Sequence, residues 1–142
     1  MLRAEFAGWV RGSRRFAAFA EVYRGKIRAK LRHARDEGGL RDVRAELVAA
    51  AALLSEPGFS LEYEKYAAAR TRGPDFTVTF KTHTPFNVEV RRIRGGELDT
   101  ADAETHTAKL IAVLLDKAGQ MPPSIPYVLW LSADGPIDAD EL

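Results

Sequence analysis

A chain of 142 residues is long enough for a single hydrophobic core and short for two. With 46% apolar and 29% charged residues and no low-complexity tract, its composition is that of a folded globular protein, and the absence of cysteine excludes disulfide scaffolds, thiolate metal sites and cysteine nucleophiles. The formal charge of +1 conceals an asymmetry: residues 1–44 carry 12 Lys or Arg against 5 Asp or Glu, and residues 45–142 carry 9 against 15.

Leu2, Phe6, Trp9 and Val10 recur at helical spacing and predict a short helix that ends near Gly12. Ser13 is a suitable N-cap for a second helix, whose apolar set Phe16, Phe19, Ala20, Tyr23, Ile27, Leu31 and Ala34 runs to about Arg35, with Gly25 as its weak point. Gly38 and Gly39 predict a turn, followed by a helix over 40–54 that Glu56-Pro57-Gly58 terminates. Beyond Gly58 the period changes to two. Segments 59–67, 75–82 and 86–93 are rich in β-branched and aromatic residues and predict three strands in an antiparallel meander. Phe76, Val78 and Phe80 share one face, with Asp75, Thr77, Thr79 and Lys81 on the other, and Val88 and Val90 oppose Asn87, Glu89 and Arg91. A further helix over 102–119 has Ala108, Ile111, Ala112, Leu115 and Ala118 as burial candidates. The apolar run 126–133 predicts a strand covered on both faces. The fold class is therefore α/β. No apolar run approaches the roughly 20 residues that cross a bilayer, and no secretory leader is evident at the start, so the expectation is a cytoplasmic protein without a membrane partner.

The polar residues on the strands are the chemical anomaly. Glu89 stands between Val88 and Val90, and Asp75 opens its strand directly after Pro74. A carboxylate among apolar neighbours is costly unless it is paired or coordinates a metal. With Glu46 on a helix that must pack against this sheet, Asp75 and Glu89 offer oxygen ligands suited to Mg²⁺ or Mn²⁺. Such a site binds and polarises a phosphate and lowers the pKa of an attacking water. Its geometric condition is that Asp75 and Glu89 lie side by side across two strands. His33, His83 and His106 have no ligand spacing, and neither a GxSxG elbow nor a GxxxxGK loop is present, which argues against histidine-zinc, acyl-transfer and P-loop chemistry.

The helix with Glu46, the Gly73-Pro74-Asp75-Phe76 strand opening, Phe86-Asn87-Val88-Glu89-Val90-Arg91 on the third strand, the following helix and the apolar last strand together resemble the PD-(D/E)xK nuclease superfamily, the restriction-endonuclease-like fold. The resemblance covers roughly residues 40–133 in the order αβββαβ, and implies a mixed central sheet flanked by helices, with residues 1–39 as an extra basic helical segment packed on a 40–142 core. It implies that Glu46, Asp75, Glu89 and the backbone carbonyl of Val90 hold one or two divalent metals, Mg²⁺ or Mn²⁺, and that the activity is hydrolytic cleavage of DNA. Arg91 stands where the family has lysine. Arginine can stabilise developing charge but does not deprotonate near neutral pH, so it cannot serve as a base. Lys109, on the 102–119 helix, is the candidate replacement, whereas Lys81 lies six residues from Asp75 along the strand, roughly 20 Å away.

Arg24, Arg28, Arg32 and Arg35 form a stripe at helical spacing, flanked by Lys26 and Lys30, and Arg92 and Arg94 follow the motif. These are the candidate contacts to a nucleic-acid backbone, with DNA as the partner. The sequence thus leaves three readings: a metal-dependent endonuclease, a catalytically inactive module of the same fold that binds nucleic acid or a protein, and a structural domain in which Glu89 pairs with an arginine. A second copy or further domains of a longer protein would supply target choice.

Overall fold

The computed structural model describes residues 2–65, 73–93, 111–112 and 125–133. The described elements are helices α1 (Leu2–Gly12), α2 (Arg14–Val22), α3 (Arg24–His33) and α4 (Glu37–Ser55) and strands β1 (Phe59–Tyr63), β2 (Phe76–Phe80), β3 (Thr84–Ile93) and β4 (Tyr127–Ala133). Residues 111–112 are helical. None of the described helices is long and apolar enough to cross a membrane.

Each helix boundary has a local cause. Ser13, in extended conformation, accepts a hydrogen bond from the Phe16 N–H and starts α2 as an N-cap. The single helix expected over 13–35 bends at Tyr23 instead, and Gly25 lies inside α3. Backbone bonds run on through the bend, from Tyr23 N–H to Phe19 and from Ile27 N–H to Tyr23. The Tyr23 ring packs on Phe19 and Tyr63, so the bend turns both halves of the apolar stripe toward the core. The turn expected at Gly38 and Gly39 is displaced to residues 34–36, because Asp36 caps α4 by accepting from the Gly39 N–H at 2.7 Å. Both glycines are helical. A side chain at Gly39 would come within 3.2 Å of the Ala34 backbone, which is the close approach that glycine permits there. At the other end of α4 the Arg15 guanidinium donates to the carbonyl of Leu54, an acceptor that a helix C-terminus leaves open, and to those of Glu56 and Phe59, which ties the end of α4 to the start of β1.

The sheet has the order β1-β2-β3-β4, with β1, β2 and β3 antiparallel in succession and β4 parallel to β3. A parallel return needs a long crossover. The residues between β3 and β4 are too many for a hairpin, and of them only 111–112 and 125–126 are described. The register pairs Tyr63 with Phe76 and Phe76 with Val88, setting these side chains on one face. Against that face pack α4 and, through Phe16, Phe19 and Ile27, the helices before it, in one buried cluster. Residues on both sides of the 39/40 boundary contribute to that cluster. Trp9 and Trp130 lie at its margin, partly buried.

Several expectations are corrected. The first strand stops at Tyr63 rather than 67, where Glu64 takes φ 46° and turns the chain out of the sheet. Thr77 and Asn87 lie on the face that alternation assigns them, opposite Phe76 and Val88, but are buried there and joined by a hydrogen bond from Thr77 Oγ1 to Asn87 Oδ1. The last strand, expected to be covered on both faces, is the outermost of the described sheet, and Val128 and Leu131 are exposed. An apolar run does not by itself distinguish an edge from an interior position. Ile111 and Ala112, expected to be buried, are exposed. Ala108, Leu115 and Ala118 lie outside the described residues.

Candidate functional site

The expected carboxylates gather where β2 begins and β3 runs past it. Asp75 precedes β2, and its Oδ2 accepts a hydrogen bond from the Val90 backbone N–H at 2.8 Å. Its own carbonyl accepts from the Glu64 N–H at 2.7 Å, which ties the end of β1 to the start of β2. The β2–β3 register reaches Phe76 opposite Val88, and one further step places Asp75 opposite Glu89.

Glu46 comes to the same place from α4. Its carboxylate accepts from Lys30 Nζ at 2.8 and 2.6 Å and from the Tyr63 hydroxyl. Lys30 also pairs with Glu64 Oε1 at 2.7 Å, and Lys26 Nζ donates to the Tyr63 carbonyl at 2.8 Å and lies 3.6 Å from Glu64 Oε2. Both ammonium groups stand over the Tyr63 ring, at 5.1 Å for Lys30 and 5.5 Å for Lys26.

The electrostatics report crowded negative charge. Burial first, and then the neighbouring Glu46 carboxylate, push Asp75 up to about 7; the Val90 N–H opposes this, Glu89 adds to it and Lys30 opposes it. Desolvation works against a charged Lys30, yet Glu46 and Glu64 outweigh it and hold the ammonium above its ordinary pKa. Burial, and then Glu46, drive the Tyr63 phenol far upward, so it remains a hydrogen-bond donor.

The structure thus brings Glu46 and Glu89 each within electrostatic reach of Asp75 and bonds Asp75 to the N–H of Val90, the residue whose carbonyl was an expected ligand. Arg91 follows on β3 and is exposed. Lys81 lies in the β2–β3 turn, at the other end of β2 from Asp75. Lys109 and Arg94 lie outside the described residues. Arg24, Arg28, Arg32 and Arg35 are exposed, and Arg24 pairs with Glu21. Arg92 is a correction. It is buried, and its guanidinium donates to Asp42 at 2.7 Å and to the Gly38 carbonyl at 3.1 Å, which directs it into the α4 contact and away from any phosphate.

Lys30, Tyr63 and Glu64 are the participants that sequence reasoning missed. A signal existed for the lysine: Lys30 is three residues after Ile27, on the side that α3 buries, whereas Arg28 and Arg32 are on the exposed side. Oxygen donors of this kind fit a hard divalent cation. As the side chains stand, however, no three of the described His, Asp and Glu residues are grouped to hold a metal ion, and Glu46 is turned to Lys30 and Tyr63. Comparison of the chain with protein-family models, with curated proteins and with solved structures finds no match in any of the three.

Proposed function

We propose that the protein is a divalent-metal-dependent DNA endonuclease of the PD-(D/E)xK type. The observation that carries this reading is the seat of Asp75: a carboxylate bonded to the Val90 N–H, raised to about 7 by burial and by Glu46 and Glu89. A buried acid beside two others is stabilised in its charged form by a cation. The succession α4, β1, β2, β3 and a parallel β4, with residues 111–112 helical in the crossover, supports the same reading through its agreement with the order αβββαβ.

In this reading Glu46, Asp75, Glu89 and the Val90 carbonyl would hold Mg²⁺ or Mn²⁺. The bound ion supplies Lewis-acid polarisation of the scissile phosphate and a water of lowered pKa. The chain's own residues supply the rest. The Val90 N–H fixes the Asp75 carboxylate across the strand gap, and the Arg91 guanidinium is available to the charge that develops on the phosphate. The exposed Arg24, Arg28 and Arg32 on α3 would follow the DNA backbone without reading sequence.

A specific observation favours a second reading, a catalytically inactive module of the same descent that binds nucleic acid. Glu46 is already neutralised by Lys30, and the residue in the lysine position is Arg91. One experiment separates the two. Mg²⁺ and Mn²⁺ are titrated into the wild type and into Asp75→Ala, and each is incubated with single-stranded, double-stranded and branched DNA. Metal binding and metal-dependent cleavage that both vanish in Asp75→Ala bear out the enzyme. DNA affinity without metal binding or cleavage bears out the module and overturns the enzyme.

A further inference from the structure

Lys30 stands apart from the arginines of its own helix. Its ammonium bonds both oxygens of Glu46, at 2.8 and 2.6 Å, and Glu64 Oε1 at 2.7 Å, and its side chain is 22% exposed. Glu46 takes a further hydrogen bond from the Tyr63 hydroxyl, so both of its oxygens face proton donors. A metal ion would need one of those oxygens within about 2.0–2.6 Å. An ammonium bonded to both oxygens would then stand within a few ångströms of the divalent ion, and like charges at that distance repel strongly in a partly desolvated site.

The alternative position for the ammonium is already built. Glu64 is in contact with Lys30, and its backbone is fixed by the bond to Asp75 and by φ 46°. Lysine carries three donors on a flexible stem, so it can give up one carboxylate and keep the other. Taking the metal site proposed above as given, we infer that Lys30 is an internal cation that closes this site, and that a divalent ion gains Glu46 only as the Lys30 ammonium withdraws to Glu64. Lys30 has two carboxylate acceptors, one on the α4 helix and one on the turn that leads out of β1. Metal and ammonium are then competing ligands of Glu46, and whatever strengthens one weakens the other.

The test is calorimetric titration of Mn²⁺ and Mg²⁺ into the full chain, with circular dichroism confirming that each variant is folded. Lys30→Met is expected to bind Mn²⁺ at least about tenfold more tightly than the wild type, and Lys30→Arg to stay close to it. Glu64→Gln, which takes away the receiving carboxylate, is expected to weaken binding, and to do so much less in the Lys30→Met background. Equal or weaker binding by folded Lys30→Met beside a binding wild type overturns the closure and leaves the metal site standing. Tightening of the same size in Lys30→Arg also overturns it. If Lys30→Met does not fold, the wild type and Glu64→Gln decide: unchanged affinity in Glu64→Gln overturns the inference, and a loss supports it. Absence of binding in both the wild type and Lys30→Met overturns the closure together with the metal-dependent reading.

Discussion

Two polar side chains, the half-buried Asp75 just before β2 and the buried Arg92 on β3, have opposite consequences for stability. Asp75 is raised to about 7 by burial and by Glu46 and Glu89, well above its unfolded range near 4. Between those values the folded state holds a proton that the unfolded state has released, so the contribution of Asp75 to stability falls as pH rises from about 4 to about 7 and is constant on either side. The slope across that window is on the order of 1 kcal/mol per pH unit, and urea unfolding of the wild type at pH 5 and pH 6.5 measures it. Asp75→Asn, a neutral mimic of the protonated acid, is expected to abolish the slope and to be more stable than the wild type at pH 8. Arg92 behaves differently. Its bonds to Asp42 and the Gly38 carbonyl fasten β3 to α4, so Arg92→Ala is expected to cost about 1–3 kcal/mol in denaturant unfolding. It is not expected to change the salt dependence of any DNA binding, because the guanidinium is turned inward. The sequence showed Arg92 only as one of a run of arginines; the depth of its burial depends on where α4 lies.

At the level of elements, the helices were legible where a capping side chain adjoins an apolar period. Ser13 is such a case, and the expected cap is the observed one. Asp36 is the case that was overlooked, because the glycines at 38 and 39 suggested a turn more strongly than the aspartate before them suggested a start. The caps are testable as a pair: Ser13→Ala and Asp36→Ala are each expected to lower stability by about 1 kcal/mol, read from thermal or urea unfolding. The strand meander was legible from its period of two, and its register agrees with the faces that alternation assigned to Phe76, Val78 and Val88. Strand ends were less so. Nothing in the apolar Tyr63 and its neighbours announces that Glu64 will adopt a left-handed backbone; the bond from its N–H to the Asp75 carbonyl and its pairing with Lys30 hold it there.

For the molecule as a whole, the basic N-terminal helices are part of the core rather than an appendage. Phe16 is fully buried and edge-on to Phe6 and Trp9, and Phe19 reaches Tyr63 and Phe76 in the sheet. Phe16→Ala is accordingly expected to cost about 3–5 kcal/mol and to unfold the sheet together with the helices, seen as coincident transitions by circular dichroism and aromatic fluorescence. The same packing explains how α3 can present two chemistries at once, arginines outward and Lys26 and Lys30 toward the ends of the strands. By itself the sequence determined the α/β class and the succession of helices followed by a strand meander, apart from the helix that the structure divides at Tyr23, because apolar periodicity is a local signal. Only the tertiary structure decided which cation faces Glu46, which arginine is buried, and that β4 is the outermost described strand. Each of those depends on how elements far apart in the chain meet, and the period of a single segment carries no record of its partner.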